Sequence, residues 1–152
     1  MDKTDKHIPL IDTHAHLTME HFRDDLPEVI EKSKASHVHH IIDIATDLES
    51  SKKVIQNCEN YEMVFGAAGI HPHDSAQHKQ QDLAEVETLL DHPKIVALGE
   101  IGLDYHYDYS PRPVQKDFFT QQLRLATKHN IPVIIHIREA MKDGLKIIRN
   151  LD

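Results

Sequence analysis

The feature that most constrains the fold is a regular alternation of short apolar runs with longer amphipathic segments. Near-continuous apolar runs predict five strands, at 8–12, 39–45, 62–70, 94–102 and 131–137. Apolar residues at helical spacing predict five helices, at 24–35, 47–58, 81–92, 114–130 and 139–150. Such alternation predicts an α/β fold whose parallel sheet is covered by crossover helices. The pattern leaves two architectures open, a doubly wound open sheet and part of a (βα)8 barrel.

The size and composition of the chain indicate one domain, 1–152, with no linker or low-complexity segment. No apolar run approaches the roughly 20 residues that a membrane helix needs. The single cysteine, Cys58, fits a reducing compartment, so we expect a cytoplasmic protein that does not enter the membrane. The net charge of −8 argues against broad affinity for nucleic acid, but it does not exclude a phosphate substrate that metal ions hold.

Ionisable side chains gather where four of the five predicted strands end. In both candidate architectures ligands bind beyond the carboxyl ends of the strands, so this position separates functional histidines from the others. The residues at these ends are His14 and His16, then His71 and His73, then Glu100, Asp104 and His106, and finally His136 and Arg138. We therefore expect one site at this rim of the sheet.

The spacing of His14 and His16 suits metal ligation. Alternate residues of a strand point the same way, so both imidazoles can face one ion, with Asp12 on the same side one step deeper. Glu100 adds a carboxylate ligand and His136 adds a third imidazole. This ligand set suits Zn, Mn or Fe and leaves positions open for a metal-bound water, the natural nucleophile for hydrolysis.

A second His-x-His pair shows how little the spacing means alone. His37 and His39 have the same spacing, but they precede the second predicted strand and so lie at the opposite rim. We expect this pair to face solvent or to bond to the backbone. What favours ligation by His14 and His16 is the set of other ligands at their rim.

Several further residues at the rim have two interpretations each. His73 follows Pro72 and is interpreted as a helix cap, so His71 is the preferred substrate contact. Asp104 is either a loop carboxylate bonded to the backbone or a substrate contact. Arg138 either holds a substrate phosphate through its planar fork or pairs with Glu139 or Asp143 at the surface. The last set is Tyr105, Tyr107 and Tyr109, whose rings either stack on a base or pack against their own neighbours.

The motifs that contain these residues resemble a known family in their order and spacing. They are IDTHAHL, GIHPH, GEIGLDYH, QKDFFTQQLRLA and PVIIHIREA. Together, from residue 10 to about residue 150, they resemble the TatD family of metal-dependent hydrolases and deoxyribonucleases.

The resemblance implies a TIM-type (βα)8 barrel with two divalent metal ions at its carboxyl rim, the metal being Mg, Mn or Zn. On the family pattern His14 and His16 bind the first ion and His136 binds the second. Glu100 bridges both ions and is the residue assigned to catalysis. Asp12 supports the ligand histidines from behind.

The resemblance also implies a substrate. Similar proteins cleave phosphodiesters, often as 3′–5′ exonucleases on single-stranded DNA or RNA. His71 and Arg138 match positions near the substrate phosphate, and Asp104 is expected beside them. An amidohydrolase-like activity on an amide, lactone or phosphotriester is the alternative enzyme.

The length of the chain departs from the family pattern, because a (βα)8 barrel takes about 250 residues. Only about five βα units are present, and the later segment that brings a further ligand histidine and an aspartate is missing. We therefore expect an N-terminal portion of a TatD-like barrel, which is either truncated, part of a longer parent chain that supplies the C-terminal segment, or completed by a second polypeptide. A catalytically incomplete fragment, acting as a metal-binding or assembly module, is the alternative outside the enzymes.

Overall fold

The computed structural model describes residues 8–151, which form five strands, five helices and two single 3₁₀ turns. The strands are β1 Leu10–Ala15, β2 Val38–Ile44, β3 Val64–Ala68, β4 Ile95–Asp104 and β5 Val133–Arg138. The helices are α1 Leu26–Ala35, α2 Leu48–Asn60, α3 Gln80–Leu89, α4 Arg112–His129 and α5 Met141–Arg149. The 3₁₀ turns span Glu20–Phe22 and Ser75–Gln77. The number, type and order of the strands and α-helices are those that the sequence predicts.

The order of the strands decides between the two architectures. All neighbouring strands pair in parallel, and the order in the sheet is the order in the chain, β1-β2-β3-β4-β5. A doubly wound sheet reverses its strand order at a switch point, and this sheet has no such reversal. The described chain is therefore five βα units of a barrel, a half-barrel of the TIM type.

The main hydrophobic core lies between the sheet and its helices. Val54 of α2, Leu98 of β4 and Phe119 of α4 are fully buried there. A smaller apolar cluster, formed by Ile44, Ala67 and Ala97, belongs to the central strands. The outermost strands β1 and β5 are far more exposed than β3 and β4.

Two buried glutamines of α4 bind the strand ends that carry the rim. Gln122 accepts a hydrogen bond from the amide of Ile70 and donates one to its carbonyl oxygen, at 2.7 and 2.9 Å. Gln115 does the same for Asp104, at 2.8 and 3.1 Å. Gln122 thus satisfies backbone groups beyond the end of β3, and Gln115 satisfies those of the last residue of β4. Helix α4 therefore holds the loops after β3 and β4 in place.

Two strands extend further toward the rim than the apolar runs predict. Strand β1 runs to Ala15 and so includes His14, and β4 runs to Asp104. Polar side chains interrupt the hydrophobic pattern at these ends, although the backbone pairing continues through them. Gly102 makes the pairing of β4 with β5 close, because a Cβ there would collide with the carbonyl oxygen of His136.

No helix within residues 8–151 is both long enough and apolar enough to cross a membrane.

Candidate metal centre

The expected rim residues meet at the carboxyl ends of the strands. Among residues 8–151, the structure contains three groups of side chains whose ligand atoms lie within 4.8 Å of one another. The groups are His14, His16 and Glu100; His71, Glu100 and His136; and His73, Asp104 and His136. Each group shares a residue with its neighbour, so the three groups form one continuous cluster.

The first group places two imidazoles against one carboxylate oxygen. Oε2 of Glu100 lies 3.5 Å from Nε2 of His14 and 3.6 Å from Nε2 of His16. These separations are too long for good hydrogen bonds. They match the roughly 3–3.5 Å between two ligand atoms that bind one ion at about 2.0–2.2 Å. The donor set of this group therefore fits a divalent cation.

The orientation of His16 leaves its Nε2 atom available as a ligand. Nδ1 of His16 lies 2.8 Å from the carbonyl oxygen of Ile44. A carbonyl oxygen only accepts, so Nδ1 carries the proton and the neutral ring has its lone pair at Nε2. The end of β2 thus selects the tautomer that metal ligation needs.

The other oxygen of Glu100 faces a different histidine. Oε1 lies 3.3 Å from Nδ1 of His136, while Nε2 of His136 lies 2.9 Å from Oδ2 of Asp104. Glu100 therefore presents one oxygen to His14 and His16 and the other to His136. Such an arrangement suits a carboxylate shared by two ions, and the bridging role of Glu100 stays a prediction.

The electrostatics of Glu100 favour its ionised form. The residue is only 8% exposed, and burial raises the pKa of its carboxyl group. The hydrogen bond with His136 and the nearby imidazoles of His71 and His14 act in the opposite direction, and together they hold that pKa below its usual range. Metal ligation requires the carboxylate form.

His71 is a neutral hydrogen-bond donor in this cluster. Burial, followed by the nearby His136, lowers the pKa of His71 to about 4, so the ring is uncharged at neutral pH. Its Nδ1 accepts a hydrogen bond from the amide of His73 at 3.2 Å, which puts the proton on Nε2. A neutral N–H donor beside the cluster suits a phosphate oxygen.

His73 is the member of the cluster that sequence reasoning did not select. It does not cap a helix, because Asp74 holds the N-cap position of the 3₁₀ turn. Nε2 of His73 instead lies 2.9 Å from Oδ2 of Asp104, the oxygen that His136 also contacts. The available signal was the i, i+2 spacing of His71 and His73 directly after a strand, the same spacing as His14 and His16.

Comparisons with known proteins also indicate a metal-dependent hydrolase. The family model for TatD-related DNases matches residues 11–152. The chain belongs to the TatD-related DNase family. It spans about half the length of the curated relatives it matches.

Several TatD relatives are similar over most of this chain. An uncharacterised metal-dependent hydrolase, YabD of Bacillus subtilis, is 42% identical over 140 residues, which are 92% of this chain and 55% of the relative. The 3′–5′ ssDNA/RNA exonuclease TatD of Cronobacter sakazakii is 34% identical over 131 residues, 86% of this chain and 50% of that protein. The crystal structure of YjjV, a TatD homologue of Escherichia coli, superimposes with a TM-score of 0.86 at 31% identity, covering 93% of this chain and 55% of that one.

Asp104 occupies a buried position behind this TatD-family centre. Its side chain is fully enclosed, with Oδ1 accepting from the amides of His106 and Tyr107 and Oδ2 facing His73 and His136. Burial raises the pKa of Asp104, but these hydrogen bonds outweigh it and leave the pKa below its usual range. We therefore propose that Asp104 orients His136, and its contact with a substrate stays a prediction.

Replacing Asp104 by asparagine is expected to weaken metal binding about 10- to 100-fold. An amide NH₂ that replaces Oδ2 can only donate to His136 Nε2, which moves the ring proton to Nδ1 and blocks the atom that faces Glu100. Titration calorimetry with Mn²⁺ measures the affinity. Asp108→Asn is the matched control, because Asp108 lies in the same loop but pairs with Arg112 at the surface. Equal affinities for the two variants would contradict the orienting role.

The two remaining predicted residues lie at the edge of the cluster. Oδ1 of Asp12 accepts a hydrogen bond from the backbone amide of His14 at 3.0 Å, so it supports this residue through the main chain. The guanidinium of Arg138 lies over the ring of Tyr107, 4.8 Å from its centroid. The acidic residues considered as its partners bind elsewhere, Glu139 to His106 and Asp143 to Lys116. Contact of Arg138 with a substrate phosphate stays a prediction.

The second His-x-His pair, His37 and His39, lies at the opposite end of the sheet. His37 directly precedes β2, and its carbonyl oxygen accepts a hydrogen bond from the amide of Leu10. His39 is the second residue of β2 and is exposed. Neither belongs to a group with metal-ligand geometry among the residues that the structure describes.

Proposed function

We propose that this chain carries a two-metal centre that hydrolyses phosphodiester bonds of single-stranded DNA or RNA, from the 3′ end. The observation that carries the proposal is the placement of Glu100, whose two oxygens face different histidines. Two ions held about 3.5–4 Å apart stabilise both the attacking and the leaving oxygen of a phosphoryl displacement. The exonuclease name of several relatives supports the same substrate class for the protein that contains this chain.

Some residues of this chain would bind the ions, and others would bind the substrate. The residues that would hold the ions are His14, His16, Glu100 and His136. When bound, the ions would polarise the phosphoryl group and lower the pKa of water. The Nε2–H of His71 would donate to a non-bridging phosphate oxygen. Arg138 would place a permanent positive charge beside that oxygen.

The charge of the site explains why the ions are needed for substrate binding as well. The net charge of the chain is −8, and two of its carboxylates, those of Glu100 and Asp104, lie in the centre itself. A phosphodiester is repelled by such a surface unless divalent cations offset the negative charge. We therefore expect binding and hydrolysis to depend on divalent metal in parallel.

The test uses the protein as expressed from its natural gene and a single-stranded oligonucleotide labelled at its 5′ end. With Mg²⁺ or Mn²⁺ the expected products are a ladder that shortens from the 3′ end. Phosphorothioate linkages at the 3′ end should suppress the ladder, and a chelator should abolish it. Intact oligonucleotides together with hydrolysis of an amide, lactone or phosphotriester would contradict the nuclease proposal. Metal binding without any turnover would favour the metal-binding or assembly module.

A further inference from the structure

Two tyrosines form an exposed stacked pair beside the metal centre. The rings of Tyr107 and Tyr109 lie 5.2 Å apart at an interplanar angle of 17°. Tyr107 is 44% exposed and Tyr109 is 67% exposed, so most of the pair faces solvent. Large exposed aromatic rings contribute little to the core, and therefore this pair needs another explanation.

The third tyrosine of the same loop shows what a structural role looks like. The hydroxyl of Tyr105 donates to Asp143 at 2.7 Å, and the guanidinium of Arg112 lies over its ring at 4.2 Å from the centroid. Its ring also packs against the main core. Neighbour packing therefore accounts for Tyr105, but it leaves the outer pair open to solvent.

The loop that carries the pair is held rigidly. Asp104 accepts hydrogen bonds from the amides of His106 and Tyr107, at 3.0 and 2.9 Å. The buried hydroxyl of Ser110 donates to the carbonyl oxygen of His73 at 2.8 Å. A loop fixed at both ends keeps the two rings stacked before any ligand arrives, which lowers the entropy cost of binding.

A chain of ring contacts connects the pair to the metal centre. The ring of His73 makes T-shaped contacts with Tyr109 at 4.9 Å and with Tyr107 at 5.5 Å between ring centroids. His73 also shares the carboxylate of Asp104 with His136. One imidazole layer therefore separates the tyrosines from a proposed metal ligand, and the cationic Arg138 lies over Tyr107 at the same place.

We propose that Tyr107 and Tyr109 form a stacking subsite for one unpaired nucleobase of the substrate, with Tyr109 presenting its outer face to the base. The subsite rests on the proposed nuclease function and defines its substrate more closely. Every base has a π-face, so the subsite accepts all four bases. A base within a duplex is already stacked on both sides, so the subsite requires a single strand.

The experiment measures binding without hydrolysis. The probe is a single-stranded oligonucleotide with 3′ phosphorothioate linkages and 2-aminopurine near the 3′ end, in the presence of Mg²⁺. The chain has no tryptophan, so the 2-aminopurine signal is read without interference from indole. Stacking on Tyr109 should quench its fluorescence. Tyr109→Leu should remove the quenching and raise Kd roughly 5- to 100-fold, and Tyr109→Phe should restore both because it keeps the ring.

Abasic substitution identifies the base as the cause. An abasic residue, placed in turn at each 3′-terminal position, should at one position weaken binding to the unmodified protein by the same factor. It should have no further effect on Tyr109→Leu, since the two changes remove the same contact. Tyr61→Leu is the matched tyrosine loss at the opposite end of the sheet and should leave the abasic effect intact.

The outcomes separate the subsite from the function. Equal binding of base-containing and abasic probes by the unmodified protein overturns the subsite, even if the exonuclease ladder is present. Quenching that depends on Tyr109, without hydrolysis of any oligonucleotide, supports the subsite and overturns the nuclease proposal. Failure to bind any oligonucleotide overturns both.

Discussion

Replacing Glu100 by glutamine is expected to lower phosphodiester hydrolysis about 1,000-fold or more and to release bound metal. Glu100 presents one oxygen to His14 and His16 and the other to His136, so it is the group common to both proposed ion sites. An amide keeps the shape of the side chain but loses the negative charge and one acceptor. Bridging-ligand loss removes several kcal/mol of transition-state stabilisation, and each 1.36 kcal/mol is tenfold in rate.

Two measurements check the Glu100 prediction. Metal content per chain separates loss of the ions from loss of chemistry alone, and kcat on a single-stranded oligonucleotide gives the rate. Glu85→Gln is the matched control, since Glu85 of α3 forms a surface ion pair with Lys52 of α2 and is not a member of the cluster. It should retain both metal and rate. Turnover that survives in Glu100→Gln with its metal intact would refute the bridging assignment.

Replacing Gln122 by leucine is expected to lower the free energy of unfolding by about 3–5 kcal/mol, because each buried polar group that is left unsatisfied costs about 1–3 kcal/mol. The side chain of Gln122 is fully buried, and it is hydrogen-bonded to both the amide and the carbonyl of Ile70. Leucine fills the space but leaves both backbone groups without a partner. Small domains have a total stability of about 5–15 kcal/mol, so the loss is a large fraction of the whole.

Urea denaturation followed by circular dichroism measures the Gln122 effect. The neighbouring Gln121 is the matched control, because its amide donates to Asp117 at the surface. Gln121→Leu should change the free energy of unfolding by less than about 0.5 kcal/mol. Gln122→Glu should also be destabilising, because it loses the donor to the Ile70 carbonyl and puts a carboxyl group in a fully buried position. Equal effects of the Gln121 and Gln122 leucine variants would contradict this account.

The Gln122 variant also links stability to the site. Ile70 directly precedes His71, so the hydrogen bonds of Gln122 hold the segment that aims this imidazole at the cluster. Asp104 depends in the same way on Gln115. Two of the three glutamines in the motif QKDFFTQQLRLA, Gln115 and Gln122, therefore position two rim residues from the helix behind them.

Much of the fold and most members of the centre could be predicted from the sequence. Hydrophobic periodicity is a local property, and it predicted the type and order of all five strands and five α-helices. The carboxyl-end rule then selected His14, His16, Glu100 and His136 from a chain with fourteen histidines. All four lie in one cluster in the structure. The same rule assigned His37 and His39 to the opposite end.

Side-chain orientation could not be predicted in this way. The sequence placed Asp104 near the substrate, but its depth and its four hydrogen-bond partners depend on how β4, β5 and the His73 loop meet. The sequence alone does not distinguish the three tyrosines of this loop. Tyr105 packs inward, whereas Tyr107 and Tyr109 stack in solvent, because contacts with α4 and α5 hold only the first.

The sequence by itself determined an α/β chain with metal-ligand types at one rim, since strand alternation and helix period are written residue by residue. Only the tertiary structure decided that the strands follow one another without reversal, as in a barrel. It also decided that the two oxygens of Glu100 point at different histidines. Strand order and carboxylate orientation depend on contacts between residues far apart in the chain, and a local pattern does not record such contacts.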